Sequence, residues 1–479
     1  MRLDRLVAEA GLADSGLLVE LVGDATVEVS ELTLDSRRVT PGAMFACVPG
    51  QIVDGHVFAA AAVSDGAAAL LCERRLDLDV AQVVSPSARR SLGPLADTLQ
   101  GHPSARLTVI GVTGTNGKTT TCSFLKAVCD ANGWPTLAIG TLSQSRTTPE
   151  APELQARLAE WSRAGGRAVA MEVSSHALVQ HRADSVRFAA GIFTNLSPEH
   201  LDYHDTMDAY FEAKALLFEA GRAGVAVVNG DDAWGRRLAA RVASQDAPVT
   251  LFDQSMAEGL DVSPRGSTFS WRGHPVSLKV GGRFNVWNAI AAGAAAEALG
   301  IEPEVVAEGL SSVEEVPGRF QKVEAGQDFT LVIDYAHTPD GLTKVLEAAR
   351  EICQGRLIVV FGAGGDRDRD KRPLMGEAAS RAADLVVVTS DNPRSEDPDA
   401  IVAEVASGAS GRPNLIVDAD RASAITTALA NAGSGDVVVI AGKGHERTQE
   451  IAGRLIAFDD VEMARQALSR IQASRQERR

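Results

Sequence analysis

The sequence lacks three things that would each have pointed elsewhere. It has no cysteine pairs: Cys47, Cys72, Cys122, Cys129 and Cys353 are an odd set of five, widely spaced and without a C-x-x-C motif. That argues against a disulfide frame or a cysteine-based zinc site, and the thiols read as reduced. It has no basic excess, since 47 Lys+Arg stand against 63 Asp+Glu for a formal net charge of −16. A general nucleic-acid binder or a protein held on anionic lipid would carry a basic face. A local basic site for an anionic ligand remains compatible with that balance. Finally, it has no long apolar run. The alanine-rich stretches 58–71 and 289–300 are too short or too interrupted to span a bilayer, and the opening MRLDRLVAEAGL carries charges where a signal peptide needs an apolar core. The expectation is a cytoplasmic protein with no nucleic-acid and no membrane partner.

What is present is a globular chain of 479 residues, 45% hydrophobic and 23% charged, long enough for about three domains. The first hundred residues hold short β-like runs (TVEVSELTLDS, AMFACVPG, AAALLCE) broken by Gly and Pro. After a break near Gly101–Ala105, RLTVIGVT reads as a buried strand, followed by a Gly-rich turn and a helix ending near Gly133. TLAIGT, AVAMEVSS, AAGIFTNLS and VAVVNGDD continue an alternation of strands and helices, as in a parallel sheet with crossover helices. A second α/β unit begins after Pro317, with strands FTLVIDYAH, RLIVVFGAGGD, LVVVTSDNP, PNLIVDAD and DVVVIAGKGHE. Polar or Gly-rich segments follow nearly every strand, and open α/β sheets bind ligands at that edge.

GVTGTNGKTT (111–120) sits between a strand and a helix. Amides of such a loop point at phosphate oxygens, Lys118 neutralises them, and the Thr119 hydroxyl can reach Mg²⁺. A strict Walker A motif needs Gly at 112, where this chain has Val112, so the match is to a shortened G-T-N-G-K-T form. Glu172, ending a strand, can complete a metal shell, although such a residue is more often a cap. Four of the nine histidines fall between His176 and His204. HLDYH has the i, i+4 spacing of a zinc helix but lacks the Glu of H-E-x-x-H and a third ligand, which favours a role beside Mg²⁺ over zinc. Lys214, taken alone, is a solvated helix lysine. Arg319 and Asp334 flank the second domain boundary, within reach of nucleotide phosphates and ribose. In DNPR (391–394) the Arg394 fork suits a carboxylate.

GTNGKTT, MEVSSHAL, TNLSPEHLDYH, FEAKALLF, VPGRF, DYAHTPDGL, GDRDRDKRPLMG, SDNPR and AGKGHE occur in this order, and together they resemble the Mur ligase family. The resemblance runs from DSRRVTPGAMF to beyond Glu446. It implies an α/β fold of three domains: a small mixed one that binds a UDP-sugar (1–103), a central P-loop ATPase-like parallel sheet that binds ATP (104–317), and a Rossmann-like one that binds an amino acid (318–479). By the same resemblance Gly114, Thr115, Asn116, Gly117, Lys118, Thr119, Thr120, Asn285, Asn288, Arg319 and Asp334 face ATP. Thr119, Glu172 and His200 go with Mg²⁺, His337 lies near the metal, and Lys214 carries a carbamate drawn from CO₂. Lys118, Lys214, Glu172 and His200 are then the catalytic set. Ser36, Thr147, Thr148, Ser174, Gln180 and Arg182 match contacts to a UDP-muramoyl dipeptide. Arg367, Asp391, Asn392, Arg394, Gly442 and Glu446 match the amino-acid pocket, and DNPR is the form the family associates with meso-diaminopimelate. One departure stands out: only Ser143–Arg146 separate GTL from TTPE, where the family has a longer hairpin.

The implied reaction is ATP-driven amide synthesis by a monomer. The D-glutamyl γ-carboxylate takes the γ-phosphoryl group of ATP, and the amine of diaminopimelate displaces phosphate from the acyl phosphate. Lys118 and the loop amides neutralise the transferred phosphoryl group. Two other readings compete: a ligase of the same fold that adds L-lysine, or glutamate to a folate, and a P-loop switch protein that uses ATP only to change shape.

Overall fold

The computed structural model describes residues 1–477 apart from 14–15, 51–52, 144–145, 220, 264–265, 410 and 412–413, so the middle of the shortened 143–146 loop lies outside the described residues. Three sheets follow one another along the chain. The first has the strand order Glu20–Val22, Ala81–Val84, Ala69–Cys72, Ala43–Ala46, Glu31–Thr33, all parallel except the first. Of the β-like TVEVSELTLDS only Glu31–Thr33 forms a strand.

The central sheet is parallel throughout, in the order Val249–Phe252, Ala223–Asn229, Phe188–Phe193, Thr108–Thr113, Ala168–Glu172, Thr136–Ile139. Its middle strands are buried on both faces, which is why they read as continuous apolar runs rather than alternating ones. Register sets Val112 beside Glu172 and Thr113 beside Phe193. The residues that follow those strands therefore emerge together at the carboxyl edge.

The third sheet runs Gln321–Lys322, Thr330–Asp334, Val437–Ala441, Leu357–Phe361, Leu385–Val388, Leu415–Val417, with only the first strand antiparallel. Asp334 pairs with Ala441 at its carboxyl edge. A small antiparallel sheet (Glu258–Ser263, Gly266–Trp271, His274–Leu278) and a hairpin (Thr448–Ile451 with Arg454–Ala457) complete the strands. Neither follows from the α/β alternation. Among the described residues no helix is long and apolar enough to cross a membrane.

The helix that follows the phosphate loop, Lys118–Ala131, is held by two others, Arg283–Ala298 and Pro303–Ser312. Its Phe124, Leu125 and Val128 are fully buried in the same core as Val286, Ile290 and Leu310. Close approach depends on Gly309, where a Cβ would stand 2.4 Å from the Val128 Cα. The obstacle is backbone, so the helices must separate to admit a methyl group. Gly309→Ala should lower unfolding free energy by about 1–3 kcal/mol despite the better helix propensity of alanine, as read by urea denaturation.

Candidate functional site

The phosphate loop is built by glycine backbone and by the segment after the neighbouring strand. Gly117 caps the helix at φ +92 with no side-chain cap, which leaves the first helix amides free for an anion. Gly114, at φ +149, admits no side chain, because a Cβ would lie 1.9 Å from the Thr194 hydroxyl. Asn195 receives the Thr115 amide on its carbonyl (2.9 Å) and the Asn116 amide on its side chain (3.0 Å). Thr194 Oγ1 donates to the Asn116 carbonyl at 2.7 Å. The loop is thus shaped before any ligand arrives.

Lys118 Nζ donates to the carbonyls of Gly114 and Thr115, both at 2.9 Å. Lys214 is no solvated lysine. It is 1% exposed, its Nζ donates to the same Gly114 carbonyl at 2.8 Å, and it sits over the Tyr210 ring at 4.4 Å. Burial first, then the neighbouring Lys118 charge, pushes its ammonium well below the ordinary lysine value. An unprotonated, desolvated amine is a nucleophile.

Beside it, His176, His200 and His204 form a ring-to-ring cluster with Tyr203 and Tyr210. Burial lowers all three histidines to about 4, so they are neutral at physiological pH. His204 bonds Ser175 Oγ at 2.9 Å, and His200 caps its helix at φ +57. Among the described residues no group of three or more His, Cys, Asp or Glu is arranged to hold a metal.

Oxygen donors are nevertheless paired. Glu172, 2% exposed, accepts Thr119 Oγ1 at 3.0 Å and the Thr141 amide at 2.9 Å on Oε1. A hydroxyl and a carboxylate side by side at a phosphate loop suit Mg²⁺, which takes one or two protein oxygens and completes its shell with water and phosphate.

The third domain supplies the opposite wall. Arg319 stacks on Tyr335 (4.3 Å) and donates to Thr119 Oγ1 at 3.0 Å. Asp340 accepts from Asn116 Nδ2 (3.0 Å) and Ser197 Oγ (2.7 Å). His337 Nε2 stands 3.4 Å from Glu199. Burial pushes the Glu199 carboxyl up, but the His337 hydrogen bond and the His200, His337 and Lys118 charges leave it far below the ordinary range. Asp334 accepts the Phe320 and Ala336 amides, one on each oxygen, both at 2.7 Å.

One cavity of about 960 Å³ brings nearly all these residues together. It takes in Thr115–Thr120, Glu172, His200, Asn288, Arg319, Asp334 and His337, then Thr147, Thr148, Ser174, Gln180 and Arg182, and finally Arg367, Asp391, Asn392, Arg394, Gly442 and Glu446. Thr148 ties its part of the wall together. Its hydroxyl donates to the Glu172 carbonyl (2.9 Å) and accepts the Ser174 amide (3.1 Å), and its carbonyl receives Arg182 (3.1 Å). Four expected residues do not line the cavity. Ser36 lies on a short helix of the first domain, Gly114 and Lys214 stand behind the loop, and buried Asn285 accepts Asn288 Nδ2 at 2.9 Å, orienting that residue instead.

Residue-by-residue reading did not single out Glu199, Tyr335, Asp340 or Lys443. Glu199 and Tyr335 stand next to named residues in SPEH and DYAH. Asp340 and Lys443 become visible only through their spatial partners.

The central and third sheets face one cavity across a phosphate loop, the arrangement of a nucleotide-using α/β protein. The Mur ligase middle domain matches residues 112–296, the Mur ligase glutamate ligase domain 318–444, and the Mur ligase family catalytic domain 28–100. The chain belongs to the Mur ligase family. It is 42% identical to the UDP-N-acetylmuramoyl-L-alanyl-D-glutamate–2,6-diaminopimelate ligase of Syntrophomonas wolfei, covering 94% of this chain and 99% of that one. With the ligase of the same name from Gloeobacter violaceus it shares 44% identity over 98% of each chain. A solved ligase of that name matches with a TM-score of 0.65 at 36% identity, over 93% of this chain and 95% of that one. The MurF ligase of Thermotoga maritima in complex with ADP, 20% identical, shares the fold with a TM-score of 0.66 over 93% of this chain and 99% of its own.

Gly117 offers a direct check on the loop. A Cβ there would lie 2.2 Å from Asn288 Oδ1 and force a residue other than glycine into φ +92. Gly117→Ala should raise the dissociation constant of a non-hydrolysable ATP analogue at least roughly tenfold by calorimetry, given the 1–2 kcal/mol cost of that backbone region. Its melting temperature should stay within a few degrees of wild type.

Proposed function

We propose that this protein joins meso-2,6-diaminopimelate to the D-glutamyl γ-carboxylate of UDP-N-acetylmuramoyl-L-alanyl-D-glutamate at the expense of ATP, a step in peptidoglycan precursor synthesis. The observation that carries this reading is the single cavity with a phosphate loop on one wall and Asp391, Asn392, Arg394 and Glu446 on the other. The relatives named for the same reaction support it along the whole chain. The division into 1–103, 104–317 and 318–479 belongs to this reading, as does action as a cytoplasmic monomer, since one chain supplies both walls and ATP and UDP-sugars are cytoplasmic solutes.

A carboxylate is a poor acyl donor, so the γ-carboxylate first attacks the γ-phosphorus of ATP and ADP departs. Lys118 exchanges its two carbonyl partners for phosphate oxygens, and the free helix amides bind the same group. Thr119 and Glu172, with His200 lining the same cavity, would hold Mg²⁺, which would supply neutralisation of the charge on the transferred phosphoryl group. Arg319 must then give up its bond to Thr119, which frees its guanidinium for the nucleotide phosphates. The unprotonated Lys214 amine fits attack on CO₂ with release of a proton, which would leave a carbamate anion on the side chain that bonds the Gly114 carbonyl. Thr147, Thr148, Ser174, Gln180 and Arg182 hold the dipeptide. The amine of diaminopimelate attacks the acyl phosphate, the tetrahedral intermediate collapses, and phosphate leaves. Contacts of Asp340, His337 and His445 across the cavity would exclude water from the acyl phosphate.

The deciding experiment is phosphate release measured with the UDP-muramoyl dipeptide and a panel of amino acids. A ligase demands both substrates; a P-loop switch hydrolyses ATP with neither. A ligase of the same family specific for L-lysine would show the reverse amino-acid preference.

Lys214→Ala should be nearly inactive, with part of the rate restored by acetate or formate occupying the carbamate position. Undiminished activity of that variant without added acid removes the carbamate from the mechanism.

Arg394, whose φ of +54 sets its side chain at the cavity, should decide the acceptor. Diaminopimelate differs from L-lysine by a far-end carboxylate, and an ionised hydrogen bond to it contributes about 1.5–3 kcal/mol. Arg394→Ala should cut the ratio of kcat/KM for diaminopimelate over lysine roughly tenfold to a hundredfold, chiefly by slowing diaminopimelate.

A further inference from the structure

Beneath the amino-acid end of the cavity lies a lysine that the reaction above does not use. Lys443, between Gly442 and Glu446, has a side chain with no solvent exposure at all. A lysine is almost never fully buried unless paired. Here its three N–H donors meet three acceptors: Asn392 Oδ1 at 3.1 Å, Glu446 Oε2 at 3.0 Å and the Thr448 carbonyl at 2.7 Å. None of its hydrogen-bonding capacity is left for a ligand.

Two of those acceptors belong to residues already placed in the amino-acid pocket. Asn392 Oδ1 receives both Lys443 Nζ and the Glu450 amide (3.0 Å), two groups that can only donate. The amide of Asn392 is therefore fixed in one orientation, with Nδ2 donating to Glu446 Oε2 at 2.8 Å. Glu446 Oε2 thus takes two donors, whereas neither of these bonds uses Oε1, and the residue lines the cavity.

We propose that Lys443 is a positioning residue for the amino-acid subsite, orienting Glu446 and Asn392 so that the free Glu446 oxygen receives an ammonium group of the incoming amino acid. The proposal rests on the reading of Asp391–Arg394 and Glu446 as that pocket. What Lys443 contributes is geometry rather than attraction, because its positive charge offsets that of Glu446. It does keep Glu446 ionised: burial pushes that carboxyl up, and the Lys443 charge with the Asn392 bond brings it below its ordinary value. The strand ends around it have a separate anchor. Arg421, paired with Asp460 at 2.7 Å, donates to the Ser390 carbonyl (3.2 Å) and the Ala441 carbonyl (3.0 Å). Loss of Lys443 should therefore act locally.

The test measures KM for diaminopimelate and for ATP in wild type, Lys443→Met, Glu446→Gln and the double variant. Measured at a pH above the carboxylate range, where Glu446 is ionised with or without Lys443, geometry and charge predict opposite signs. If Lys443 orients Glu446, Lys443→Met raises KM for diaminopimelate roughly tenfold while KM for ATP moves less than about twofold. If it only neutralised Glu446, its removal would tighten ammonium binding and lower that KM. The double variant should be no worse than Glu446→Gln alone, because Lys443 acts through that carboxylate. Equal rises in both KM values, additive effects, or an unchanged KM in Lys443→Met beside a raised one in Glu446→Gln overturn the inference and leave the pocket standing. An unchanged KM in Glu446→Gln overturns the pocket reading and the inference together. Should Lys443→Met fail to fold, the double variant, which removes both charges, carries the comparison with Glu446→Gln.

Discussion

One carbonyl oxygen, that of Gly114, accepts hydrogen bonds from two lysine side chains, Lys118 and Lys214. Two ammonium groups converging on a single neutral acceptor, one of them buried, repel each other at short range in a poorly screened setting. The protein relieves this in two ways: Lys214 gives up its proton readily, and Glu199 stands near enough to attract both lysines. What remains is a site short of negative charge. Triphosphate answers that shortage, and so would the carbamate proposed for Lys214. Sheet order makes the convergence unavoidable, since the strand feeding the loop lies between those ending at Glu172 and Phe193.

The second organising fact is how the third domain meets the loop. Arg319 reaches Thr119, Asp340 gathers Asn116 and Ser197, His337 faces Glu199, and His445 bonds the Thr141 carbonyl at 3.2 Å. Every one of these is polar and ends on the phosphate loop, on the segments that brace it, or beside Glu172. Such contacts hold a geometry without the cost in reopening that a broad apolar seam would bring.

Much of this was legible in the sequence because parallel sheets make it so. Buried strands such as Leu357–Phe361 and Val437–Ala441 read as unbroken apolar runs, and the cavity-lining Gly364, Arg367 and Gly442 lie in the segments after them. The phosphate loop showed itself by a strand, glycines, Lys118 and a helix in order. Lys214 is the contrary case: helix periodicity gives a solvated residue, the family resemblance reverses that, and tertiary burial supplies the physical reason. The small sheet 258–278 was missed because its strands alternate buried and exposed residues weakly and interrupt an α/β rhythm. Lys443 was invisible for another reason. Its three partners come from the loop after a different strand, the turn after its own, and the start of the hairpin. No local pattern encodes such a meeting.

Gly318 adopts φ +65 where the chain enters the third domain, and a Cβ there would lie 2.2 Å from the His445 nitrogen. The next residue, Arg319, is the one that touches Thr119. The crossing between domains, at Gly318, is thus pressed against the loop that carries Glu446 and adjoins Arg319, which lines the cavity. Modularity is lost at this point. A chimera that exchanged the third domain for that of a distant relative would import its own seam residues against a foreign phosphate loop. Inheritance should therefore treat the central and third domains as one unit, whatever the tidy boundaries of their sheets suggest.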